Sequence, residues 1–364
     1  MNTPQLPKVL IMAGGTGGHV YPALSVAEKL LAKNMVVEWL GTRKGIENQL
    51  VPNKNLPLHF ISISGLRGKG ILRWLFMPLQ LLRAIGQAIA LIRRCKPDVV
   101  LGLGGFASGP GGLAAWLMGK PLVIHEQNAV AGTTNRWLNR LANKSLQAYP
   151  GSLRGATTVG NPLRNEILQL PTPAERTRNI NDRPRLLILG GSLGALKLNQ
   201  TVPEALALMG VEQRPQVWHQ TGKDHYQLTL NLYQRLQVQA QVEPYIEAMH
   251  RAYTWADLVV CRSGALTVSE IMAAGLAAIF VPYPHAIDDH QTKNAAYLVE
   301  AGAAELLPQS DLTPEFLHKL LLDKLNDREK LLAMATKARE LSVLNAAEQV
   351  ADTCAALIMG KRHG

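Results

Sequence analysis

The chain has 364 residues, too many for one typical domain and suited to two, and 47% of them are hydrophobic, enough to fill two cores. No apolar run of about eighteen residues lacks a charged residue, so we expect no transmembrane helix, and the first residues lack the layout of a signal peptide. The three cysteines are far apart, which excludes a disulfide framework or a cysteine metal motif and indicates a reducing cytoplasm.

Positive charge is concentrated in the first half of the chain. Residues 1–163 contain 18 Lys and Arg against 5 Asp and Glu, whereas residues 164–364 contain 20 against 22. This asymmetry predicts an anionic partner for the first half, such as acidic lipid or a diphosphate substrate. Aromatic residues make up only 5% of the chain and no nucleic-acid-binding module is visible, so we expect no nucleic acid partner.

A glycine-rich turn follows the first predicted strand. The apolar residues 9–13 lead into GGTGGH (residues 14–19) and then into a helical stretch from about residue 21 to 33. A strand, a glycine loop and a helix in this order bring backbone N–H groups close to a phosphate. The turn lacks the dinucleotide fingerprint, because Thr16 stands where the second glycine should be, and it lacks the Walker lysine. A tight turn without a ligand is the alternative.

Residues 71–94 form an apolar stretch punctuated by arginines and by Pro78, which we expect to break or kink it. One interpretation is an amphipathic helix packed on a sheet, and the other is a segment that lies on an anionic membrane surface. The residues predicted to contact the membrane are Ile71, Leu72, Trp74, Leu75, Phe76 and Leu79.

Two further predicted strands of the first half end in unusual residues. Residues 97–103 run into five glycines between positions 104 and 112, and residues 121–124 run into HEQN (residues 125–128). In open α/β sheets the ligand-binding residues lie at the carboxyl ends of strands, so both turns are candidate site segments. A polar sheet edge without a function is the alternative for residues 125–128. Residues 160–164 are the predicted linker.

The second half opens like the first. KVLIMAGGTGGH near the start resembles RLLILGGSLGAL at residues 185–196, which predicts two similar α/β halves in tandem. The second turn also fits the G-x-S-x-G pattern of a hydrolase nucleophile elbow, with Ser192 as the nucleophile. Because Thr16 occupies the equivalent place in the first half, a duplicated phosphate cradle explains both turns better.

Residues 261–295 read as loop, helix, buried strand, loop and helix. Ser263 and Gly264 are good helix-start residues for a helix over residues 265–274, whose N-terminus can hold a phosphate. Thr267 and Glu270 share one face of that helix, and a carboxylate there is well placed to accept hydrogen bonds from ribose hydroxyls. The alternative is an ordinary helix with a capping serine and an exposed glutamate.

These motifs together resemble the MurG-type enzymes of glycosyltransferase family 28. Such enzymes add N-acetylglucosamine from UDP-GlcNAc to lipid I (undecaprenyl-diphospho-MurNAc-pentapeptide), giving lipid II for peptidoglycan, and so contribute to cell shape and division. The resemblance implies a GT-B fold: two Rossmann-like doubly wound parallel-sheet domains facing a central cleft. The domains would be residues 1–163, with a final helix at 345–364 packing back on them, and a UDP-GlcNAc-binding domain at 164–344.

The resemblance also implies a peripheral location on the cytoplasmic face of the inner membrane, with other cell-wall synthesis proteins as further partners. Ile246 would meet uracil through its backbone, Glu270 would hold the ribose, and Gln291 with Asn294 would read sugar hydroxyls. Phe106 stands where related sequences often carry tyrosine, so we expect no hydroxyl-dependent role there. The implied donor contacts are Thr16, Gly17, Gly18, Asn128, Arg164, Ser192, Ile246, Ala265, Leu266, Thr267, Val268, Ser269, Glu270, Gln291 and Asn294.

The implied chemistry is one inverting step: the acceptor hydroxyl attacks the anomeric carbon and UDP leaves. It requires a general base and neutralisation of the leaving diphosphate. His19 is the predicted base, because a neutral imidazole accepts a proton near pH 7, and Glu126 is the alternative base. His19 could instead cap its loop or bind the acceptor phosphate, for which the first glycine loop is also suited.

We expect no metal and no obligatory cofactor. No Asp-x-Asp follows a predicted strand, and Asp288 and Asp289 are adjacent within a loop. A helix dipole and Arg164 would neutralise the diphosphate instead. The competing functions are another GT-B enzyme, such as a UDP-GlcNAc 2-epimerase, and a peripheral membrane protein that binds a nucleotide sugar without turning it over.

Overall fold

The computed structural model describes residues 6–63, 77–176, 182–191 and 193–362. The chain divides into two compact units, one formed by residues 1–164 with 343–364 and the other by residues 165–342. Ser192 and five predicted membrane contacts (Ile71, Leu72, Trp74, Leu75 and Phe76) lie outside the described residues. In the part of the chain that is described, no helix is long and apolar enough to span a membrane.

The first unit is built on a parallel sheet, with seven strands among its described residues. Their order is β3-β2-β1-β4-β5-β6-β7, and every neighbouring pair is parallel. The strands are β1 (Lys8–Met12), β2 (Val36–Gly41), β3 (Leu58–Phe60), β4 (Val99–Gly102), β5 (Leu122–Glu126), β6 (Lys144–Gln147) and β7 (Thr157–Thr158). The helices are α1 (Gly17–Ala32), α2 (Glu47–Leu50), α3 (Met77–Cys95), α4 (Ser108–Leu117) and α5 (Thr133–Leu138).

The second unit repeats this arrangement with six strands in its described part. Their order is β10-β9-β8-β11-β12-β13, again all parallel. The strands are β8 (Arg185–Leu189), β9 (Gln216–Gln220), β10 (Gln241–Glu243), β11 (Leu258–Cys261), β12 (Ala277–Phe280) and β13 (Ala304–Leu306). The helices are α6 (Asn165–Leu168), α7 (Leu196–Ala207), α8 (Tyr226–Arg235), α9 (Met249–Trp255), α10 (Ala265–Ala274), α11 (His290–Glu300), α12 (Pro314–Leu325) and α13 (Arg328–Glu340).

The central strands are apolar on both faces because helices cover both faces of the sheet. In β1, Val9 and Ile11 belong to one apolar cluster, whereas Leu10 and Met12 belong to another. The first cluster includes residues of α1, and the second includes residues of α3 and α4. A strand buried in this way reads as a continuous apolar run, which is the pattern seen in the sequence. The predicted α/β class with two parallel-sheet Rossmann-like domains is confirmed.

The last helix, α14 (Ala346–Arg362), returns to the first unit after the chain has built the second. Its apolar residues join the cluster that covers α1 and the sheet. Lys33, just after α1, forms ion pairs with Glu348 at 2.5 Å and with Asp352 at 2.8 Å. The C-terminal segment is therefore part of the core of the first unit.

The segment predicted as the linker stays hydrogen-bonded to the first unit. The fully buried His125 donates from Nε2 to the carbonyl of Gly160 at 2.9 Å, and Asn161 Nδ2 donates to the carbonyl of Gln127 at 3.0 Å. Burial lowers the pKa of His125 to about 4, so its imidazole is neutral at pH 7. The polar run at residues 125–128 therefore anchors the chain as it leaves this unit.

Candidate active site

Both sheets reverse their strand order beside a central strand, and the glycine-rich turns lie at these points. In the first unit the turns follow β1 and β4, which are neighbours. In the second unit they follow β8 and β11, which are also neighbours. Open α/β sheets bind ligands at such switch points, because the loops there diverge and leave a crevice. Each unit therefore has one candidate binding site at its own sheet edge.

The first glycine loop places the N-terminus of α1 at the switch point. Thr16 is the N-cap residue, with extended backbone and no capping hydrogen bond from its side chain. The first bond within the helix runs from the amide of His19 to the carbonyl of Thr16, at 3.2 Å. The amides of Gly17 and Gly18 precede that bond, so they are the donors that a helix start offers to an anion.

The loop after β4 packs directly against the first glycine loop. A Cβ at Gly104 would lie 2.5 Å from Cδ2 of His19, and a Cβ at Gly105 would overlap the carbonyl oxygen of Gly14. Both glycines also have positive φ, of 97° and 84°, which other residues rarely adopt. Glycine at these two positions therefore allows the two loops to touch, and this contact positions the His19 ring.

His19 combines a defined position with a neutral ring. Its Nδ1 lies 3.5 Å from the hydroxyl of Thr16, and the side chain is half-buried. Burial lowers the pKa of His19, and the negative charges of Glu126 and Glu47 act in the opposite direction. A histidine with this pKa is unprotonated at pH 7 and can accept a proton from a hydroxyl.

Glu126, at the end of β5, is 2% exposed and is surrounded by hydrogen-bond donors. Its Oε1 accepts from the amide of Asn128 at 2.9 Å and from Asn128 Nδ2 at 3.3 Å. Its Oε2 accepts from the amide of Gly132 at 3.1 Å and from Asn135 Nδ2 at 2.9 Å. This carboxylate therefore shapes the loop between β5 and α5 and orients the Asn128 side chain.

Arg164 lies beside the helix that carries the first glycine loop. Its Cζ is 5.1 Å from the centroid of the Tyr21 ring, and Tyr21 is in the second turn of α1. A cation over an aromatic face is an attractive arrangement. The first unit thus has Thr16, Gly17, Gly18 and His19 at the start of α1 and Asn128 on the loop that Glu126 holds. Arg164 lies beside the same helix.

The second glycine loop is held against two neighbouring loops. A Cβ at Gly194 would overlap the carbonyl oxygen of Thr221, so these two turns are in close contact. Gln220 Nε2 donates to the carbonyl of Gly191 at 3.1 Å, and Gln220 Oε1 accepts from the amide of Ile246 at 3.0 Å. No pattern in the sequence points to Gln220, yet its carboxamide bonds to both the glycine loop and Ile246. The Ile246 N–H is thus engaged within the protein.

Helix α10 begins at Ala265 with Gly264 as its N-cap. The alternative in which Ser263 caps this helix is wrong: its side chain is fully buried and makes no capping bond. Within the described chain its hydroxyl oxygen has no hydrogen-bond partner. Gly264 has no side chain that could cap the first turn, and the helix start carries the partial positive charge that can attract an anion.

The side chains of α10 divide between the core and the site. Glu270 is 6% exposed, and its Oε2 accepts a hydrogen bond from the Tyr253 hydroxyl at 3.0 Å. The alternative of an exposed glutamate is therefore wrong. Val268 is fully buried and its amide donates to Gly264 at 2.9 Å, so neither group faces a ligand. The other predicted contacts on this helix, from Ala265 to Thr267 and Ser269, lie at or near its first turn.

The two predicted residues of α11 have different environments. Gln291 is half-buried, and its Oε1 accepts from the amide of Tyr283 at 2.9 Å. Asn294 is fully buried, and its Nδ2 donates to the carbonyl of Ser263 at 3.1 Å. A buried amide engaged with the backbone does not read sugar hydroxyls, so the prediction for Asn294 is corrected: it holds the loop that precedes α10.

One group of side chains among the described residues brings metal-ligand atoms within 4.8 Å of one another: Glu38, His59 and Cys95. Lys8 already pairs with Glu38 at 2.7 Å, and Arg94 lies 3.1 Å from Nδ1 of His59. Burial opposes ionisation of Glu38, but hydrogen bonds from Cys95, Lys8 and His59 lower its pKa to about 2. The group therefore links β1, β2, β3 and α3 through its own ion pairs and hydrogen bonds.

Two Rossmann-like units with glycine turns at their switch points are the architecture of a GT-B glycosyltransferase. The model of the glycosyltransferase family 28 N-terminal domain matches residues 9–147, and that of the family 28 C-terminal domain matches residues 185–350. The chain belongs to glycosyltransferase family 28. This membership also argues against the hydrolase interpretation of the second glycine turn.

Curated relatives cover nearly the whole chain. A protein of Cellvibrio japonicus (strain Ueda107) is 55% identical over 358 residues, 97% of this chain and 99% of that protein. One of Stutzerimonas stutzeri (strain A1501) is 54% identical over 349 residues, 95% of this chain and 97% of that protein. Both are named UDP-N-acetylglucosamine--N-acetylmuramyl-(pentapeptide) pyrophosphoryl-undecaprenol N-acetylglucosamine transferase. The crystal structure of Acinetobacter baumannii MurG is 41% identical, with a TM-score of 0.83, and covers 96% of this chain and 99% of that one.

Proposed function

We propose that the chain transfers N-acetylglucosamine from UDP-GlcNAc to lipid I and so forms lipid II. The observation that carries this proposal is the similarity, at 55% identity, to a transferase of that name along almost the full length of both chains. A similarity of this extent includes both Rossmann-like units and all their glycine turns. The enzyme is therefore a UDP-GlcNAc-dependent hexosyltransferase of peptidoglycan synthesis.

The reaction needs one proton transfer and one displacement. His19 takes the proton of the acceptor hydroxyl, the oxygen forms a bond to the anomeric carbon, and the bond from that carbon to UDP breaks with inversion. A well-placed general base contributes roughly 100-fold to 10,000-fold to such a step. Glu126 is less suited to this role, because four hydrogen bonds from its own loop occupy its two oxygens.

The donor would be held by the second unit. The N-terminus of α10, with Gly264 as its N-cap, would offer the partial positive charge of a helix start to the diphosphate. Glu270, oriented by Tyr253, would accept hydrogen bonds from the ribose, and Gln291 would contact the sugar. Ser192 would contact the diphosphate, and Ile246 the uracil through its backbone.

We propose further that turnover needs no divalent ion or other cofactor, because a helix N-terminus and Arg164 supply the positive charge. Full activity in excess chelator is the expected result. Loss of activity in chelator, with recovery on adding magnesium, would refute this part of the proposal and leave the transferase function intact.

The first unit would dock on the cytoplasmic face of the inner membrane as a peripheral protein. Leu79 and Leu82 on α3 are both 65% exposed, and Arg83 beside them is exposed. On α5, Trp137 is 64% exposed with the Arg140 guanidinium 4.9 Å from its ring. Exposed apolar groups next to arginines suit an anionic lipid surface. Contacts with other cell-wall synthesis proteins are a further expectation.

Vesicle binding tests the docking proposal. A variant with Leu79→Glu and Leu82→Glu should lose most of its binding to vesicles of anionic phospholipid, while Leu208→Glu, at an exposed leucine of the second unit, should bind like the wild type. Equal binding by all three proteins would show that this face does not meet the membrane.

The function itself is tested by transfer of labelled GlcNAc from UDP-GlcNAc to a lipid I analogue. Wild type should form lipid II, Glu270→Ala should lose donor affinity, and His19→Ala should bind UDP normally but turn over slowly. Release of free GlcNAc or ManNAc without a lipid product would instead support a hydrolase or a 2-epimerase. UDP-GlcNAc that is bound but never consumed in the presence of acceptor would indicate a binding protein.

A further inference from the structure

Glu47 is a fully buried carboxylate beneath the first glycine loop. Its Oε2 accepts a hydrogen bond from the amide of Gly15 at 2.9 Å. Its Oε1 accepts from the amide and the hydroxyl of Thr42, both at 2.9 Å. The amide of Gly15 is therefore directed toward Glu47, and the anion-binding capacity of the loop rests on the amides of Gly17 and Gly18.

Three glycines surround this carboxylate. A Cβ at Gly14 would lie 2.5 Å from Oε1 of Glu47, one at Gly41 would lie 2.7 Å from its Cγ, and one at Gly45 would overlap its Oε2. Any side chain at these positions would displace the glutamate. The end of β1, the end of β2 and the turn before α2 thus form one glycine-lined compartment for a single carboxylate.

This carboxylate is negatively charged without a neighbouring cation. Among the described residues no lysine or arginine forms an ion pair with it, and Arg43 and Lys44 of the same turn are exposed. Its partners are two amides and a hydroxyl, which are neutral dipoles. Burying a charge among neutral partners costs free energy, so a function of this charge would explain why it is buried here.

The negative charge acts on His19, which is on the loop that Glu47 supports. Two carboxylates act on this imidazole: Glu126, at the end of β5, and Glu47, and both oppose the effect of burial on its pKa. Glu126 accepts hydrogen bonds from the loop between β5 and α5, whereas Glu47 accepts one from the glycine loop that carries His19. When His19 accepts a proton, the imidazolium is stabilised by both negative charges.

We infer that Glu47 is a positioning residue for the proposed transfer reaction: it fixes the first glycine loop under His19 and supplies negative charge that stabilises the imidazolium formed during catalysis. The inference rests on the proposed function only in that His19 is the base. In the step concerned, the O–H bond of the acceptor breaks and an N–H bond forms on His19, while the oxygen replaces UDP on the anomeric carbon. Glu47 itself neither gains nor loses a proton.

The test compares Glu47→Gln with Thr42→Val in the GlcNAc transfer assay with a lipid I analogue. Glutamine keeps an acceptor for Thr42 but loses the charge and turns an N–H₂ group toward the Gly15 amide. Thr42→Val removes one hydrogen bond to Glu47 and keeps its charge, so it is the matched control for a merely structural effect. The measurements are kcat across pH 5 to 9, the Kd of UDP, and the melting temperature.

We expect Glu47→Gln to lower kcat by roughly 10-fold to 100-fold, the scale on which a displaced catalytic group reduces rates. Loss of the negative charge lowers the pKa of His19, so the acidic limb of the pH profile should move to lower pH. The Kd of UDP should stay unchanged, because Ile246 and Glu270, the residues predicted to contact the uracil and the ribose, are in the other unit. Thr42→Val should leave the acidic limb in place.

A Glu47→Gln enzyme whose pH profile and kcat match those of Thr42→Val would overturn the inference while leaving the transferase function standing. A wild-type enzyme that forms no lipid II would instead overturn the proposed function. If Glu47→Gln does not fold, Glu47→Asp decides the matter: it keeps the charge but shortens the reach to Gly15. An unchanged kcat in that variant would contradict the positioning role.

Discussion

The Tyr253 hydroxyl donates a 3.0 Å hydrogen bond to Oε2 of Glu270, and both side chains are almost fully buried. The bond joins α9 to α10, so the carboxylate predicted to hold the donor ribose is oriented by a neighbouring helix. Tyr253→Phe should therefore weaken UDP binding about 10-fold or more, because hydrogen bonds to charged groups contribute roughly 1.5–3 kcal/mol. Calorimetric titration with UDP measures the change, and Tyr226→Phe on α8 is the control. Equal affinity in both variants would show that Tyr253 does not orient the site.

Gln220 should be as important for the donor as any residue predicted from the sequence. Replacing it by alanine leaves the buried amide of Ile246 without its partner, at a cost of roughly 1–3 kcal/mol. It also removes one of the two hydrogen bonds to the carbonyl of Gly191, which still accepts from the amide of Gly194. We expect a raised KM for UDP-GlcNAc with a smaller change in kcat. Gln216→Ala, at the exposed start of the same strand, should have no effect. A normal KM in the Gln220 variant would exclude this role.

The substitution Gly105→Ala tests the contact between the two glycine loops of the first unit. An alanine at position 105 would have to adopt a positive φ, and its Cβ would overlap the carbonyl oxygen of Gly14. The two loops would therefore have to separate, and the His19 ring would lose the contact that positions it. Gly119→Ala has a similar backbone conformation with open space around it, so it should cost only about 1–2 kcal/mol of stability. Melting temperature and kcat should therefore fall much further in Gly105→Ala. Equal losses would mean that backbone strain alone matters.

Stability should decrease as pH falls below 6.5. The fully buried His219, bonded to Asn199 and Tyr233, has a pKa lowered by burial to about 3. In the unfolded chain the same group binds a proton near pH 6.5, so unfolding takes up a proton between pH 6.5 and 3 and is favoured by acid. At pH 5 this contributes about 2 kcal/mol of destabilisation.

Urea unfolding at pH 7 and pH 5 measures this dependence. His219→Gln should be less stable than wild type at pH 7 but should lose less stability on going to pH 5, because it cannot take up the proton. If the wild type kept its full stability at pH values below about 6.5, His219 could not be buried as a neutral ring.

The central strands could be read from the sequence because each is a short apolar run that ends at a glycine or a polar residue. The strands predicted at residues 9–13, 97–103 and 121–124 lie close to the observed β1, β4 and β5, and the helix predicted over residues 265–274 has its observed limits. The strands β3, β6, β7 and β10 were not predicted. They are short and partly polar, and pairing with a longer neighbour, rather than their own composition, makes them strands.

Some site residues could likewise be predicted from local sequence, and others could not. The glycine turns and the polar residues at strand ends follow from local sequence, and they led to His19, Glu126 and Glu270. The roles of Asn294 and Ser263 were misread, and Glu47 and Gln220 were missed. The side chains of Asn294, Glu47 and Gln220 bond to groups distant in sequence, as in the separation of 32 positions between Gly15 and Glu47.

The sequence by itself determined the two α/β halves, their central strands and the turns where phosphate and base chemistry can occur, because burial and tight turns impose local residue patterns. Only the tertiary structure decided which polar side chains face the site and which support it. Hydrogen bonds such as Glu47 to Gly15 and Gln220 to Ile246 join loops from different strands. Their partners are backbone amides, which are present at every non-proline residue and leave no mark in the sequence.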